Sequence, residues 1–241
     1  MTEEPYRWLE AIGNRREYIR DQLKGGTPVF AFSRPEGIFL IGVGQGMSKV
    51  FEIYDRHAFA ALGHPVDIEK VRQAAIEAAH LEGFNRSAQD VTLRRLISFS
   101  LSTTLKNSFE QIFSPPIMVE SIFAELGETP AQDVLARVHY DGNHHFESSG
   151  VLLAHGNSKQ EEEATTWIKQ ALKPTDSLSQ VASIALTAWQ ALAADKPFAE
   201  VAAPREPILK IDGKVVEAAL LDRKLTGAVH YRSLNLNQLK S

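Results

Sequence analysis

The stretch "KGGTPVF", residues 24–30, decides how the chain is read. Thr27 follows two glycines and heads an apolar run. A threonine exposed by cleavage after Gly26 is a nucleophile whose own freed amine serves as general base, and a glycine before it leaves the scissile peptide unhindered. The competing reading is local structure: Gly25 and Gly26 end a helix by supplying a left-handed cap, and Thr27 begins a strand.

The flanking residues favour the second reading. In "PYRWLEAIGNRREYIRDQLKGG", Trp8, Ile12, Ile19 and Leu23 recur at helical spacing, which predicts an amphipathic first helix. Removing Met1 to Gly26 would expose its apolar stripe, so the segment is not a disposable leader. "TPVFAFSRPEGIFLIGVG" then supplies two short apolar runs, Val29 to Phe32 and Ile38 to Ile41, around the turn chemistry of "SRPEG".

Further along, extended pieces are expected at Val50 to Ile53 and Ala58 to Leu62. A first helix pair follows. One helix carries Ile68, Val71, Ala75 and Ala78 on one face and closes at Gly83. The other starts from Ser87 and Asp90 as a capping box and stops before Pro115 and Pro116. "IMVESIFAEL", "VLARVHYD" and "GVLLAHG" read as strands, with Asp141 and Gly142 as a turn. Ser158 and Glu161 form a capping box for a second helix pair, and "ILKI" and "VVEAALLD" predict a last hairpin around "DGK", before a polar tail. The expected fold is α+β: two antiparallel strand sets, each covered by a helix pair, in a four-layer α-β-β-α sandwich with an extra N-terminal helix. Residues 1–241 are read as a single domain, with 1–26 the helical region and 27–241 the sandwich core.

Composition narrows the function. With 26 basic against 30 acidic residues and no block of like charge, nothing attracts nucleic acid or an anionic membrane. The chain lacks cysteine, which removes disulfides, thiolate catalysis and cysteine zinc sites. No signal peptide or membrane-length apolar run is present, and the expectation is a soluble, cytoplasmic protein.

Candidate chemistry is sparse. "GVGQG" (Gly42, Gly44, Gly46) fails the dinucleotide pattern because Met47 stands where the third glycine belongs, so it reads as a turn between strands. His139, His144 and His145 cluster with Asp141 and Glu147, but neighbouring His144 and His145 point to opposite faces of a strand, which favours a solvated hairpin end over a metal site. No metal or cofactor is expected. The run "QEEEATT" is a helix's first turn, where carboxylates suit the dipole.

Residues 17–63 resemble the proteasome subunit superfamily, specifically its prokaryotic α-type subunit. In that family a helix with E-Y-x-R leads through K-x-G-[ST] into two strands, then a lysine, then a strand ending in glycine. Glu17, Tyr18, Arg20, Lys24, Gly26, Thr27, Lys49 and Gly63 match in order. "EIYDRHAFAALG" is similar to α subunits of bacterial proteasomes, and the likeness extends more loosely to "VVEAALLDRK".

The resemblance implies an N-terminal-nucleophile hydrolase fold without catalytic residues. Its role would be the outer homo-heptameric ring on β-type subunits, admitting unfolded polypeptide and docking a regulatory ring ATPase. It further implies that Glu17, Lys49 and Gly63 line an intersubunit pocket for the ATPase's C-terminal tail. The first helix would pack between neighbours in the ring. The long gating extension of archaeal and eukaryotic α subunits is missing, as Met1 to Pro5 alone precede the helix. The β-type relatives use the threonine with a lysine and an acid; here Thr27 and Lys49 are present, but Val43 stands at the acid's spacing. A threonine peptidase maturing at Thr27 is therefore the alternative.

Overall fold

The computed structural model describes residues 4–204, 206–235 and 239. Of the expected Met1 to Pro5 segment, residues 1–3 lie outside them and Glu4 and Pro5 already belong to the first helix; in the final tail, residues 236–238, 240 and 241 lie outside. Helix α1 (Glu4–Leu23) is followed by strands β1 (Val29–Arg34), β2 (Gly37–Gly44), β3 (Val50–Tyr54) and β4 (His57–Gly63). Next come helix α2 (Pro65–Asn85) and helix α3, which spans 93–110 with a π-helical middle at Leu96–Leu101. Strands β5 (Val119–Glu125), β6 (Val134–His139), β7 (His144–Glu147) and β8 (Val151–Ala154) lead to α4 (Ser158–Ala171) and α5 (Leu178–Ala193). Strands β9 (Val215–Asp222) and β10 (Tyr231–Leu234) close the chain.

The strands form two five-stranded antiparallel sheets, ordered β10-β9-β2-β1-β8 and β3-β4-β5-β6-β7. Strand alternation distributes the apolar residues among three layers. Phe30 and Phe32 of β1 and Phe39, Ile41 and Val43 of β2 face α4 and α5. Val29, Ala31, Ile38 and Leu40 face the other sheet, meeting Ala58, Ala60 and Leu62 of β4. Phe59 and Ala61 point to α2 and α3. Both faces of these strands are covered, which is why they read as continuous apolar runs. The four-layer α-β-β-α sandwich is the observed architecture. Among the described residues no helix is long and apolar enough to cross a membrane.

Helix α1 reaches into the middle layer with its C-terminal end. Ile19 and Leu23 are fully buried between the sheets, while Trp8 and Leu9 remain exposed. Ile12 packs partly against the same layer, so of the predicted stripe only Trp8 is left exposed within one chain.

Several local expectations are corrected. Neither Gly25 nor Gly26 adopts positive φ. The helix instead ends with the Gly26 N–H donating to the Leu23 carbonyl at 2.9 Å, and Gly26 serves proximity, since a Cβ there would lie 2.6 Å from Leu62. Gly83 sits inside α2, where a Cβ would strike the Tyr54 hydroxyl at 2.5 Å. Ser87 and Asp90 bond each other around a 3₁₀ turn, and α3 begins later, with the Leu93 N–H donating to the Glu125 carboxylate at 2.6 Å. A carboxylate from β5 thus occupies the helix N-terminus that local chemistry was expected to cap. Asn157, not Ser158, caps α4, and Glu161 turns inward. "ILKI" is not a strand; β9 pairs with β2 and with β10, formed from the expected polar tail.

The seat of α1 is tested by two glycines. A Cβ on Gly156 would lie 2.0 Å from the Leu23 carbonyl oxygen, whereas nothing lies within 4 Å of one on Gly13. In urea unfolding of the unassembled chain, Gly156→Ala is expected to cost about 1–3 kcal/mol by overpacking. Gly13→Ala should instead add about 0.5–1 kcal/mol by helix propensity.

Candidate functional site

The turn from α1 into β1 brings Thr27 beside the start of β3. The Thr27 hydroxyl donates to the Val43 carbonyl at 2.6 Å, and Lys49 Nζ donates to the Thr27 carbonyl at 3.0 Å. Gly42 and Gly44 lie along the lysine's path. Both belong to β2 rather than to a turn, and a Cβ on either would sit 3.4–3.6 Å from the Lys49 side chain. The lysine stem lies across this bare strip of backbone to reach Thr27.

Sequence reasoning missed the carboxylate of this cluster. Glu217 Oε2, on β9 of one sheet, accepts the backbone N–H of Lys49 at 2.8 Å and of Val50 at 3.4 Å, at the edge of the other sheet. Tyr231 on β10 adds a bond from its hydroxyl to the Val50 carbonyl at 3.3 Å. A lone glutamate in "VVEAALLD" carries no motif, because its partners lie 167 and 168 residues away.

Burial pushes the Lys49 ammonium down to about 8, against the opposing attraction of Glu217. The chemistry follows from the contacts. A carbonyl oxygen accepts the Thr27 proton but does not remove it, and the lysine faces the carbonyl of Thr27 rather than its hydroxyl. The Val43 side chain, at the position of the absent acid, packs into the apolar layer against α4 and α5.

The three residues expected at a tail pocket are not joined to one another within the chain. Lys49 and Gly63 lie at the same end of β4, where the Ala61 N–H donates to the Lys49 carbonyl at 3.0 Å. Gly63, at φ +139°, yields space to the chain itself, since a Cβ there would lie 2.1 Å from the Met118 carbonyl oxygen. Glu17 is exposed on α1 and makes no ion pair with Arg20 among the described residues. The histidines occupy the β6–β7 hairpin: His139 Nδ1 meets Glu120 at 2.8 Å, and His144 packs edge-on against Phe146. Among the described residues no group of three His, Asp or Glu side chains is arranged to hold a metal.

No family model matches the chain. Individual proteins do. It is 30% identical to the proteasome subunit alpha of Renibacterium salmoninarum, over 99% of this chain and 94% of that one. It is also 30% identical to the subunit of the same name from Streptomyces avermitilis, over 89% and 79%. A shorter match, 35% identical over 56% of this chain and 51% of the relative, is to the proteasome subunit alpha of Actinosynnema mirum.

The lysine is tested by pH. Its ordinary value is 10.5 and its folded value about 8, so between these the unfolded chain binds more protons and stability rises with pH. The penalty is complete below about 8. Urea midpoints read from pH 7.5 to 10 should show this rise in the wild type and lose it in Lys49→Met. Above 10, Tyr231 acts with opposite sign, because burial, Glu52 and Glu217 raise its hydroxyl to about 12.

Proposed function

Since the chain belongs to the proteasome α-subunit family, we infer that it is a noncatalytic ring subunit of a 20S-type core, seated on β-type subunits and contributing to the passage of unfolded polypeptide. The observation that carries this reading is the seat of α1. With Ile19 and Leu23 buried between the sheets, the helix is part of the fold, and Thr27 follows it in unbroken peptide linkage without a free amine. The Thr27 hydroxyl, spent on the Val43 carbonyl, supports the same conclusion. Residues 1–241 are proposed to act as one domain, and the cytoplasm is proposed as its compartment.

The ring is proposed to be a homo-heptamer. Exposed Trp8, at the N-terminal end of the α1 stripe, and adjacent Leu9 support a neighbour packing against them. On the outer face, Glu17, Lys49 and Gly63 are proposed to line a pocket between adjacent subunits that receives the C-terminal tail of a ring ATPase. Because these residues are not joined within one chain, a neighbour's surface would complete it. Lys49 supplies the cation for a terminal carboxylate, exchanging the Thr27 carbonyl for a charged acceptor.

Co-expression with a β-type partner followed by intact-mass measurement is expected to show an uncleaved α chain; a chain beginning at Thr27 would instead identify a maturing peptidase. In the assembled complex, Lys49→Ala should lower stimulation by the cognate ATPase about tenfold, the loss of one charge-assisted contact, while leaving peptide hydrolysis without the ATPase unchanged. Full stimulation of Lys49→Ala would remove the docking proposal.

A further inference from the structure

Lys49 makes no ion pair among the described residues; its ammonium donates to the neutral Thr27 carbonyl at 3.0 Å. Burial drives such a group towards its uncharged amine, and the attraction of Glu217 opposes it. The same carboxylate fixes the backbone beneath the lysine. Through one oxygen, Oε2, it accepts the Lys49 N–H at 2.8 Å and the Val50 N–H at 3.4 Å. One residue of β9 therefore acts on both the place and the charge of a side chain on β3.

Sheet register puts Glu217 there. It stands opposite Gly42 on β2, and directly opposed residues of neighbouring strands point to the same face. Because Gly42 has no side chain, the lysine stem occupies that space, its Cβ 3.4 Å from where a Gly42 Cβ would lie. The other groups at this spot do not compete with Glu217. Thr27, from the β1 side, carries no charge. On β10, burial, Glu52 of β3 and Glu217 raise the Tyr231 hydroxyl to about 12, so it stays neutral while the lysine titrates.

We infer that Glu217 is a positioning residue for the docking of a peptide carboxylate: it anchors the first residues of β3 and supplies the negative charge that Lys49 finds nowhere else. The inference rests on the docking proposal above. Its own part, the hold of Glu217 on Lys49, is measured without any partner.

The test is Glu217→Gln, which keeps an oxygen able to accept the backbone N–H groups and removes the charge. In the unassembled full-length chain, the Lys49 ε-methylene is titrated by NMR, with Lys49→Met to assign its signal. A midpoint of about 8 is expected in the wild type. In Glu217→Gln it should move to lower pH by roughly half a unit to one unit, the effect of one nearby charge partly screened by water. In the assembled complex, stimulation by the cognate ATPase should then fall at lower pH in Glu217→Gln than in the wild type. A merely structural role would lower stimulation evenly across the pH range. An unmoved Lys49 midpoint, or a stimulation profile that is lowered without being displaced, would overturn the inference even where Lys49→Ala loses stimulation. Full stimulation of Lys49→Ala would instead remove the docking proposal, and with it the docking role of Glu217, while the shift in the lysine titration would stand.

Discussion

The structure depends on how one helix end enters the space between two sheets. Ile19 and Leu23 occupy the middle apolar layer, and the Leu23 carbonyl lies so close to Gly156 that no side chain fits there. Burying two such side chains contributes roughly 3–6 kcal/mol. This is comparable with the whole stability of a domain, about 5–15 kcal/mol. The position of Thr27 follows directly: a residue four places beyond a buried Leu23 is held in the body of the fold and not at a chain end. The segment ahead of it is anchored in the core through Ile19 and Leu23.

Around that seat the polar groups divide into two clusters with different physics. Near Thr27, a lysine and a glutamate from different sheets bond backbone rather than each other, so the ammonium is desolvated with only partial compensation and its proton affinity falls. Near the start of α4, Arg137 is surrounded by carboxylates that neutralise it, and Glu161 among them is raised above the usual carboxylate range, chiefly by burial. Breaking such a buried pair by removing one partner costs about 3–5 kcal/mol. The first cluster leaves its ammonium on a neutral carbonyl, whereas the second pairs its guanidinium with two carboxylates.

Much of the fold was legible in the chain itself. Apolar runs with period 2 located the strands, and stripes of period 3.6 located the helices, because each element must cover its neighbours. The failures have a shared cause. The capping boxes at Ser87 and Ser158 obey a local pattern, but α3 takes its cap from Glu125 on another strand, and Glu161 is drawn inward by Arg137. The strand in the polar tail was hidden because β10 stands at a sheet edge, where Arg232 and Ser233 stay exposed and period-2 burial is faint. Gly42 and Gly44 were read as a turn, yet both lie in β2, and Gly83, read as a helix end, sits inside α2 where the Tyr54 hydroxyl comes close.

By itself the sequence determined the layer architecture, the helical segment ahead of Thr27, the pairing of that threonine with Lys49, and the absence of an acid at Val43. The helical segment is a matter of periodicity within a short window and the layer order an inference from the order of elements, while the roles of Lys49 and Val43 beside Thr27 came from the resemblance to proteasome subunits. Only the tertiary structure decided that the Thr27 proton goes to a carbonyl, that Glu217 reaches across from the other sheet, and that Arg137 is buried against Glu120 and Glu161. Those facts depend on side chains brought together from distant parts of the chain, and their energies come from desolvation, which no local pattern of residues records.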